Sequence, residues 1–318
     1  MKKRIIGARA SSILFNFLVA NKEKIKKPFL LPANVCPIVP VTFLKANVPF
    51  IFSDITDDNM LIDKQDAINK VLEGQISGLL FVRSYGYFED EKDFFSQIKE
   101  INRNLFIIDD RCLCIPDVDG KDVYEEADLT LFSTGYAKFV EMNYGGFAFI
   151  NEDIPYKNYK INFNPKDHER LVTSMNYSVK NNVKFSYDFD EWLNNTVDFN
   201  EKEYFDLILK NIEKSLKQKE ILNRVYYKML PKTIQIGHIT ENWRFSILVD
   251  NKDDILNKIF EAGLFASSHY SSVSHLFSNT KSPKAEFIHN KIINLFNDFR
   301  FDEQKAQHTC KIINENLK

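Results

Sequence analysis

The sequence predicts an α/β fold, with a mostly parallel mixed sheet sandwiched by helices and a smaller C-terminal α+β domain. Three observations predict it. Short apolar runs rich in Phe, Ile, Leu and Val recur up to residue 150, each the length of a buried strand. Helical patterns lie between several of these runs, which is the signature of strands paired in parallel and covered on both faces. Beyond one long helical stretch, the pattern changes to a β-α-β-like region.

In chain order, the predicted strands are "FLL" (29–31), "VPFIF" (48–52), "GLLFV" (78–82), "LFIID" (105–109), "LTLFS" (129–133) and "GFAFI" (146–150). The intervening patterns predict helices over Ala10–Asn21, Asp63–Leu72 and Asp90–Ile101, with Asp63 placed to cap the second. From about Asn151 to Asn200 the residues are polar and aromatic without a clear period, and excursions and loops are expected. Glu201–Met229 then carries Leu207, Ile208, Ile212, Leu216, Ile221, Leu222 and Val225 at helical intervals, and Pro231 ends it. After it, "QIGHI" and "WRFSILVD" read as strands, "KDDILNKIFEAG" as a helix closed by Gly263, and "EFIHNKIINLF" and "DEQKAQHTCKIINENL" as two more helices. The expected division is a large domain over 1–219 and a small one over 220–318.

Composition excludes several classes. The formal charge is -2, with 42 basic and 44 acidic residues intermixed, so the basic footprint of a nucleic-acid binder is absent. No run of about 18 apolar residues exists to span a membrane. The basic start and apolar middle of the N-terminus are interrupted by Arg9 and Asn16 and lack a small-residue cleavage site, so a signal peptide is not expected. Cys36, Cys112, Cys114 and Cys310 form no disulfide framework, suit a reducing cytoplasm, and have no zinc spacing; nor do the six histidines.

Ligands of open parallel sheets sit beyond the carboxyl ends of the strands. Here those ends carry Asp109 and Asp110, then Ser133 with Lys138 five residues on, and Arg83, Ser84 and Tyr85. "GARAS" (7–11) opens the first helix, where free N–H groups suit a phosphate. A lysine can condense with an aldehyde, a carboxylate can keep a pyridine nitrogen protonated, and a helix start with a serine can hold a phosphate. Those are the demands of pyridoxal 5'-phosphate, though no one of these parts is specific to it.

The order of these residues resembles the DegT/StrS-type sugar aminotransferases, of the aspartate-aminotransferase fold, from Gly7 nearly to the C-terminus. The resemblance is carried by "FLLPANVCPIVPVTFLKANVPFIFSDIT" with "NMLID", by "VRSYGYFED", by "LFIIDDRC", by "LFSTGYAKFVEMNYGGFAFI" and by "FEAGLFASSHY". The lysine segment is the most specific of them. The resemblance implies a pyridoxal 5'-phosphate enzyme in which Lys138 holds the cofactor and then shuttles the proton, and Asp110 pairs with the pyridine nitrogen. It implies that Gly7, Ala8 and Ser133 hold the phosphate, with Arg9 a further anchor, and that Cys36 stands against the ring face where the family often has an aromatic residue. The implied substrates are small molecules, an amino acid donor such as glutamate and a keto-sugar nucleotide acceptor. The implied setting is a cytoplasmic homodimer in surface polysaccharide or related amino-sugar biosynthesis, with neither nucleic acid nor membrane as partner.

Some positions depart from the family. The arm that usually precedes the first helix is not expected here. Leu113 stands where Gln or His is usual, and Arg111 where a small Ala is preferred. The family's Asn-bearing loop is represented only by the candidates Asn194, Asn195 and Asn200. These departures keep open an alternative: a non-catalytic or regulatory relative of the same fold, or the partner subunit of a heteromer. His269 and Tyr270 read as a packed pair, with lining of the site from the small domain as the alternative, and Cys112 and Cys114 as small buried residues.

Overall fold

The computed structural model describes residues 2–87, 89–236 and 243–318. In chain order the larger elements are β1 (Lys2–Gly7), α1 (Ala10–Asn21), β2 (Phe29–Pro32), α2 (Ile38–Ala46), β3 (Phe50–Ser53), α3 (Lys64–Leu72), β4 (Gly78–Val82) and α4 (Lys92–Ile101). They continue with β5 (Phe106–Asp110), β6 (Leu129–Ser133), β7 (Gly146–Asn151), α5 (Pro165–Asn181), α6 (Glu201–Met229) and β8 (Phe245–Leu248). The last are α7 (Lys252–Glu261), β9 (Ala266–Ser267), α8 (Ser274–Phe277), α9 (Pro283–Lys291), β10 (Ile292–Leu295) and α10 (Glu303–Asn316).

Seven strands form one sheet in the order β1-β7-β6-β5-β4-β2-β3. β6, β5, β4, β2 and β3 pair in parallel, and β7 runs antiparallel to both its neighbours. Alternation explains why the strands read as unbroken apolar runs. Leu79, Phe81 and Ile107 face the layer of α3 and α4, with Phe94, Phe95 and Ile98. Leu80, Phe106 and Ile108 face the opposite layer, with Phe17, Leu18 and Phe43 of α1 and α2. Asp63 caps α3 by accepting from the N–H groups of Gln65 and Asp66.

The second sheet is antiparallel, in the order β8-β10-β9; α7 packs against it, and α10 packs on α6 and α7 and shares its core. α6 joins the two cores. Near its start Tyr204, Phe205 and Ile208 pack with Phe132 and Phe147 of the large sheet, and further on Leu222 and Tyr226 pack with Phe245 and Ile247 of the small one. Asp54, which follows β3, accepts from the N–H groups of Lys284 and Ala285 and so caps α9 across the two units.

Two expectations need correction, and one strand had no expectation. α5 lies in the stretch expected to be loop; Asn164 caps it, Pro165 opens it, and only Leu171, Met175 and Ser178 are buried, a stripe too narrow to stand out. "EFIHNKIINLF" is not one helix, because pairing with β8 pulls Ile292–Leu295 out as β10. β1 went unread because its Lys and Arg mask an edge strand: Lys2 reaches the Ala127 carbonyl, and Arg4 reaches the Val118 carbonyl at 2.8 Å and covers Phe205. Of the strand expected at 235–239, residues 237–239 lie outside the described residues, and Gln235 makes an isolated bridge to Ile247.

Candidate active site

The carboxyl ends of β2, β5 and β6 open on one cavity of about 390 Å³, within the usual range for a small-molecule site. Arg9, Ala10 and Ser11 at the start of α1, Cys36 after β2, Asp110 and Cys112 at the end of β5, Ser133 closing β6, and Lys138 in the following loop all line it. Of the seven residues singled out from sequence, Arg9, Cys36, Asp110, Ser133 and Lys138 are therefore brought together. Gly7 and Ala8 stand just behind this wall, in the β1–α1 turn, where the Ala8 carbonyl accepts from Gly145 N–H at 2.8 Å.

The turn is built on a pair of glycines. Gly7 and Gly146 face each other across β1 and β7. A Cβ on Gly146 would lie 2.5 Å from Ala10 N, and one on Gly7 would lie 2.6 Å from Ile13, so any larger residue would push the amino end of α1 away from the sheet. Ser12 closes the first turn, its hydroxyl accepting from Arg9 N–H at 3.1 Å and donating to the Arg9 carbonyl at 2.7 Å. From α1 the cavity is lined by Ala10 and Ser11 of the first turn and by Leu14, and from β6 by Ser133, whose hydroxyl accepts from Gly135 N–H at 3.3 Å.

Asp109 and Asp110 are consecutive in β5 and have different surroundings. Asp110 faces the cavity, its Oδ1 accepting from Cys112 N–H at 2.9 Å. Burial pushes its carboxyl above the usual carboxylate value, against the opposing pull of Cys112 and the Lys138 ammonium. Asp109 is buried with two guanidiniums: Arg83 donates through Nε at 2.9 Å and Nη2 at 3.3 Å, and Arg111 donates through Nε at 2.7 Å. Burial would raise its pKa too, but the two arginines overcome that and hold it below the ordinary value. Arg111 is therefore turned away from the cavity, and its presence in place of a small residue is explained by that ion cluster.

Lys138 is half-buried and lies between two cavities, the one above and a smaller one of about 210 Å³ against α6 and Asp298. Its charge is felt by Cys36, Asp110, Cys112 and His269. Burial pushes up the thiols of Cys36 and Cys112, which keeps them protonated and unreactive. Burial, aided by Arg244 and Lys138, lowers His269 to about 4, so it is neutral at pH 7. His269 packs with Trp243 and Tyr270 rather than lining the large cavity, and Tyr270 N–H donates to the Tyr85 hydroxyl at 3.3 Å. Among the three asparagine candidates, Asn194 lines the cavity, Asn195 bonds Asn16 and the Tyr159 carbonyl, and Asn200 caps α6.

Sequence reasoning missed His168 and Trp192, which also line the cavity and are joined by a 3.2 Å hydrogen bond from the His168 ring to the Trp192 carbonyl. They come from the 151–200 segment, where the period is weakest. Among the described residues there is no cluster of metal-ligating side chains, and no helix is long and apolar enough to cross a membrane.

No protein-family model matches the sequence, and no curated protein matches it. Solved structures do match. PseC of Helicobacter pylori, an aminotransferase involved in the biosynthesis of pseudoaminic acid, superposes with a TM-score of 0.72 at 16% identity over 100% of this chain and 87% of its own. The chain has the fold of this aminotransferase. A DegT/DnrJ/EryC1/StrS aminotransferase from Brucella abortus gives a TM-score of 0.69 at 15% identity, over 98% of this chain and 85% of its own. Spr1654 of Streptococcus pneumoniae, described as a sugar aminotransferase and solved in a PLP-form, gives 0.70 at 16% identity, over 99% and 88%. The seven-stranded mixed sheet with its helical layers and the small C-terminal sheet thus belong to the architecture that the resemblance predicted.

Proposed function

We propose that this protein is a pyridoxal 5'-phosphate-dependent aminotransferase of the DegT/StrS type. It moves an amino group from an amino acid, glutamate being the first donor to test, to a keto-sugar nucleotide for surface polysaccharide or related amino-sugar biosynthesis. The observation that carries this reading is that Lys138, Asp110 and the amino end of α1 line a single cavity in a fold represented by sugar aminotransferases.

The residues fit the cofactor's demands. When bound, the cofactor supplies an aldehyde for a primary amine and a ring that draws electrons when its nitrogen is protonated. Lys138 supplies the nearest amine and, once free, a base that can move a proton between two carbons. Asp110 is a buried acceptor whose tendency to stay protonated is reversed by a cationic ring nitrogen beside it. The first turn of α1, the Ser133 hydroxyl and Arg9 hold the phosphate, with Gly7 and Ala8 shaping the turn beneath. Cys36 packs against the ring face.

The large domain is assigned to 1–219 and the small one to 220–318, on the change of packing partners along α6. A homodimer is part of the proposal, because Tyr136 and Phe163 border the cavity while 66% and 41% exposed, and a second copy would cover them. Sedimentation tests that point.

The purified protein should take up pyridoxal phosphate and absorb visible light. Borohydride should remove the band and leave the cofactor's mass on Lys138, and Lys138→Ala should stay colourless. Glutamate alone should then shift the band, and a set of nucleotide keto-sugars should reveal the acceptor. A protein that cannot be coloured would point to the non-catalytic relative or the partner subunit of a heteromer.

A further inference from the structure

The residue before Lys138 has a backbone that must be held in place. Ala137 has φ +55°, the left-handed region that an alanine rarely occupies. Both of its backbone groups are gripped. Its N–H donates to Glu141 Oε2 at 2.9 Å, and that carboxylate is itself held by Arg300, whose Nη2 lies 2.6 and 2.7 Å from the two oxygens. Its carbonyl accepts from the Trp243 indole N–H at 2.6 Å.

The N–H and the carbonyl of Ala137 belong to the two peptide planes on either side of its Cα. Fixing both planes fixes φ and ψ, and so sets the direction in which Lys138 leaves the chain. The outer partners do not come from the sheet that carries the cavity. Trp243 leads into β8, and Arg300 lies between β10 and α10. Each is itself anchored. The Trp243 carbonyl accepts from Lys219 Nζ at 2.7 Å, and its ring stacks on Tyr270 and under the Arg244 guanidinium. Arg300 also bonds Asp298 at 2.8 Å.

We propose that Trp243 and the Glu141–Arg300 pair are positioning residues that aim the Lys138 amine from the small sheet. Delivery of that amine to the cavity thereby depends on the docking of the C-terminal unit. The proposal deepens the aminotransferase reading and rests on it for its catalytic consequence, while the aiming of the amine can be tested without the cofactor.

The test uses the full-length protein with Trp243→Phe, which keeps the ring and removes the donor, and Glu141→Gln, which weakens the tie to Arg300. In the cofactor-free protein, acetic anhydride labels amines, and mass spectrometry compares Lys138 with the exposed Lys210 of α6. Both variants should raise the Lys138-to-Lys210 labelling ratio severalfold. In the loaded protein, both should lower kcat by roughly ten- to a hundredfold with little change in the amino acid KM, the usual scale for a misplaced reacting group. Adding Ala137→Gly to Trp243→Phe should recover part of the loss, since glycine enters the left-handed region without restraint. An unchanged labelling ratio overturns the proposal whether or not cofactor binds. So does a loss that Ala137→Gly does not relieve at all, because that is the behaviour of general destabilisation. A changed ratio in a protein that takes no cofactor leaves the positioning intact and sinks the aminotransferase reading instead.

Discussion

Asp109→Asn should be among the most destabilising single changes in the chain. Asp109, Arg83 and Arg111 have side chains that are 0%, 0% and 2% exposed. The carboxylate accepts three charge-assisted hydrogen bonds, at 2.9, 3.3 and 2.7 Å. Asparagine retains one neutral acceptor and removes the charge that both guanidiniums face. Breaking a buried ion cluster by removing one partner costs about 3–5 kcal/mol, against a total stability of about 5–15 kcal/mol. Urea unfolding of the two proteins at neutral pH measures the difference as a lowered midpoint at similar slope. The pH dependence gives a second check. The folded carboxyl titrates below its unfolded value of about 3.9. Its contribution is therefore present in full above that unfolded value, declines as the pH drops below it, and is gone once the pH has fallen through the depressed folded value. The variant should lack that acid loss. A cost below about 1 kcal/mol, the scale of an exposed pair, would refute the reasoning, and so would an acid limb shared by both proteins.

Asp110 should behave in the opposite sense. Burial raises its folded pKa, so the fold is weakened as pH rises through that raised value and stays weakened above it; cofactor-free Asp110→Asn should melt higher than the parent at neutral pH, yet fail to retain pyridoxal phosphate. Lys219, lowered by burial to about 7, should make stability rise between pH about 7 and its unfolded value of about 10.4, because the unfolded chain binds the extra proton over that window; Lys219→Met should flatten this slope in melts across the range. His269, lowered to about 4, should show no ring titration between pH 5 and 8 by NMR, and a midpoint near 6.5 would contradict its burial against Trp243.

Strand interiors were legible because both faces of the sheet are covered: a parallel strand buried on both sides reads as a near-continuous apolar run, and β4 and β6 occupy the residues expected of them. What fails is local reading where tertiary partners decide. Ile292 to Leu295 continue a helical pattern, and only β8 beside them makes a strand. The polar residues of α5 conceal a short buried stripe, although Asn164 and Pro165 were a readable cap. The site divides in the same way. Residues that end strands, Asp110 and Ser133, could be placed by rule, whereas Cys36 was placed only by the resemblance. His168 and Trp192 enter the cavity from a segment with little pattern, and Trp243 and Arg300 reach the Lys138 loop from more than 100 residues away.

The acidic pair at the end of β5 shows how far such reading goes. Two adjacent carboxylates at a strand end look interchangeable in sequence, and either could be the acceptor for a ring nitrogen. Side chains alternate along a strand, so the pair must divide between the two faces. Which one meets the cavity is set by the partners: the chain supplies Arg83 and Arg111 to one face, and they bond Asp109. That leaves Asp110 without an arginine, with its charge resisted by burial and met only by Cys112 and the field of Lys138. A carboxylate kept in that state is poorly satisfied by the protein alone, and a cationic ligand in the cavity would satisfy it. Arg111, a departure from the family when read as a neighbour of the site, is thus part of what reserves Asp110 for a ligand. The double variant Asp109→Asn with Arg111→Ala should recover part of the stability lost by Asp109→Asn alone, since it removes one of the two buried cations left facing the amide. An additive loss in urea unfolding would show that Arg111 is held by something other than Asp109.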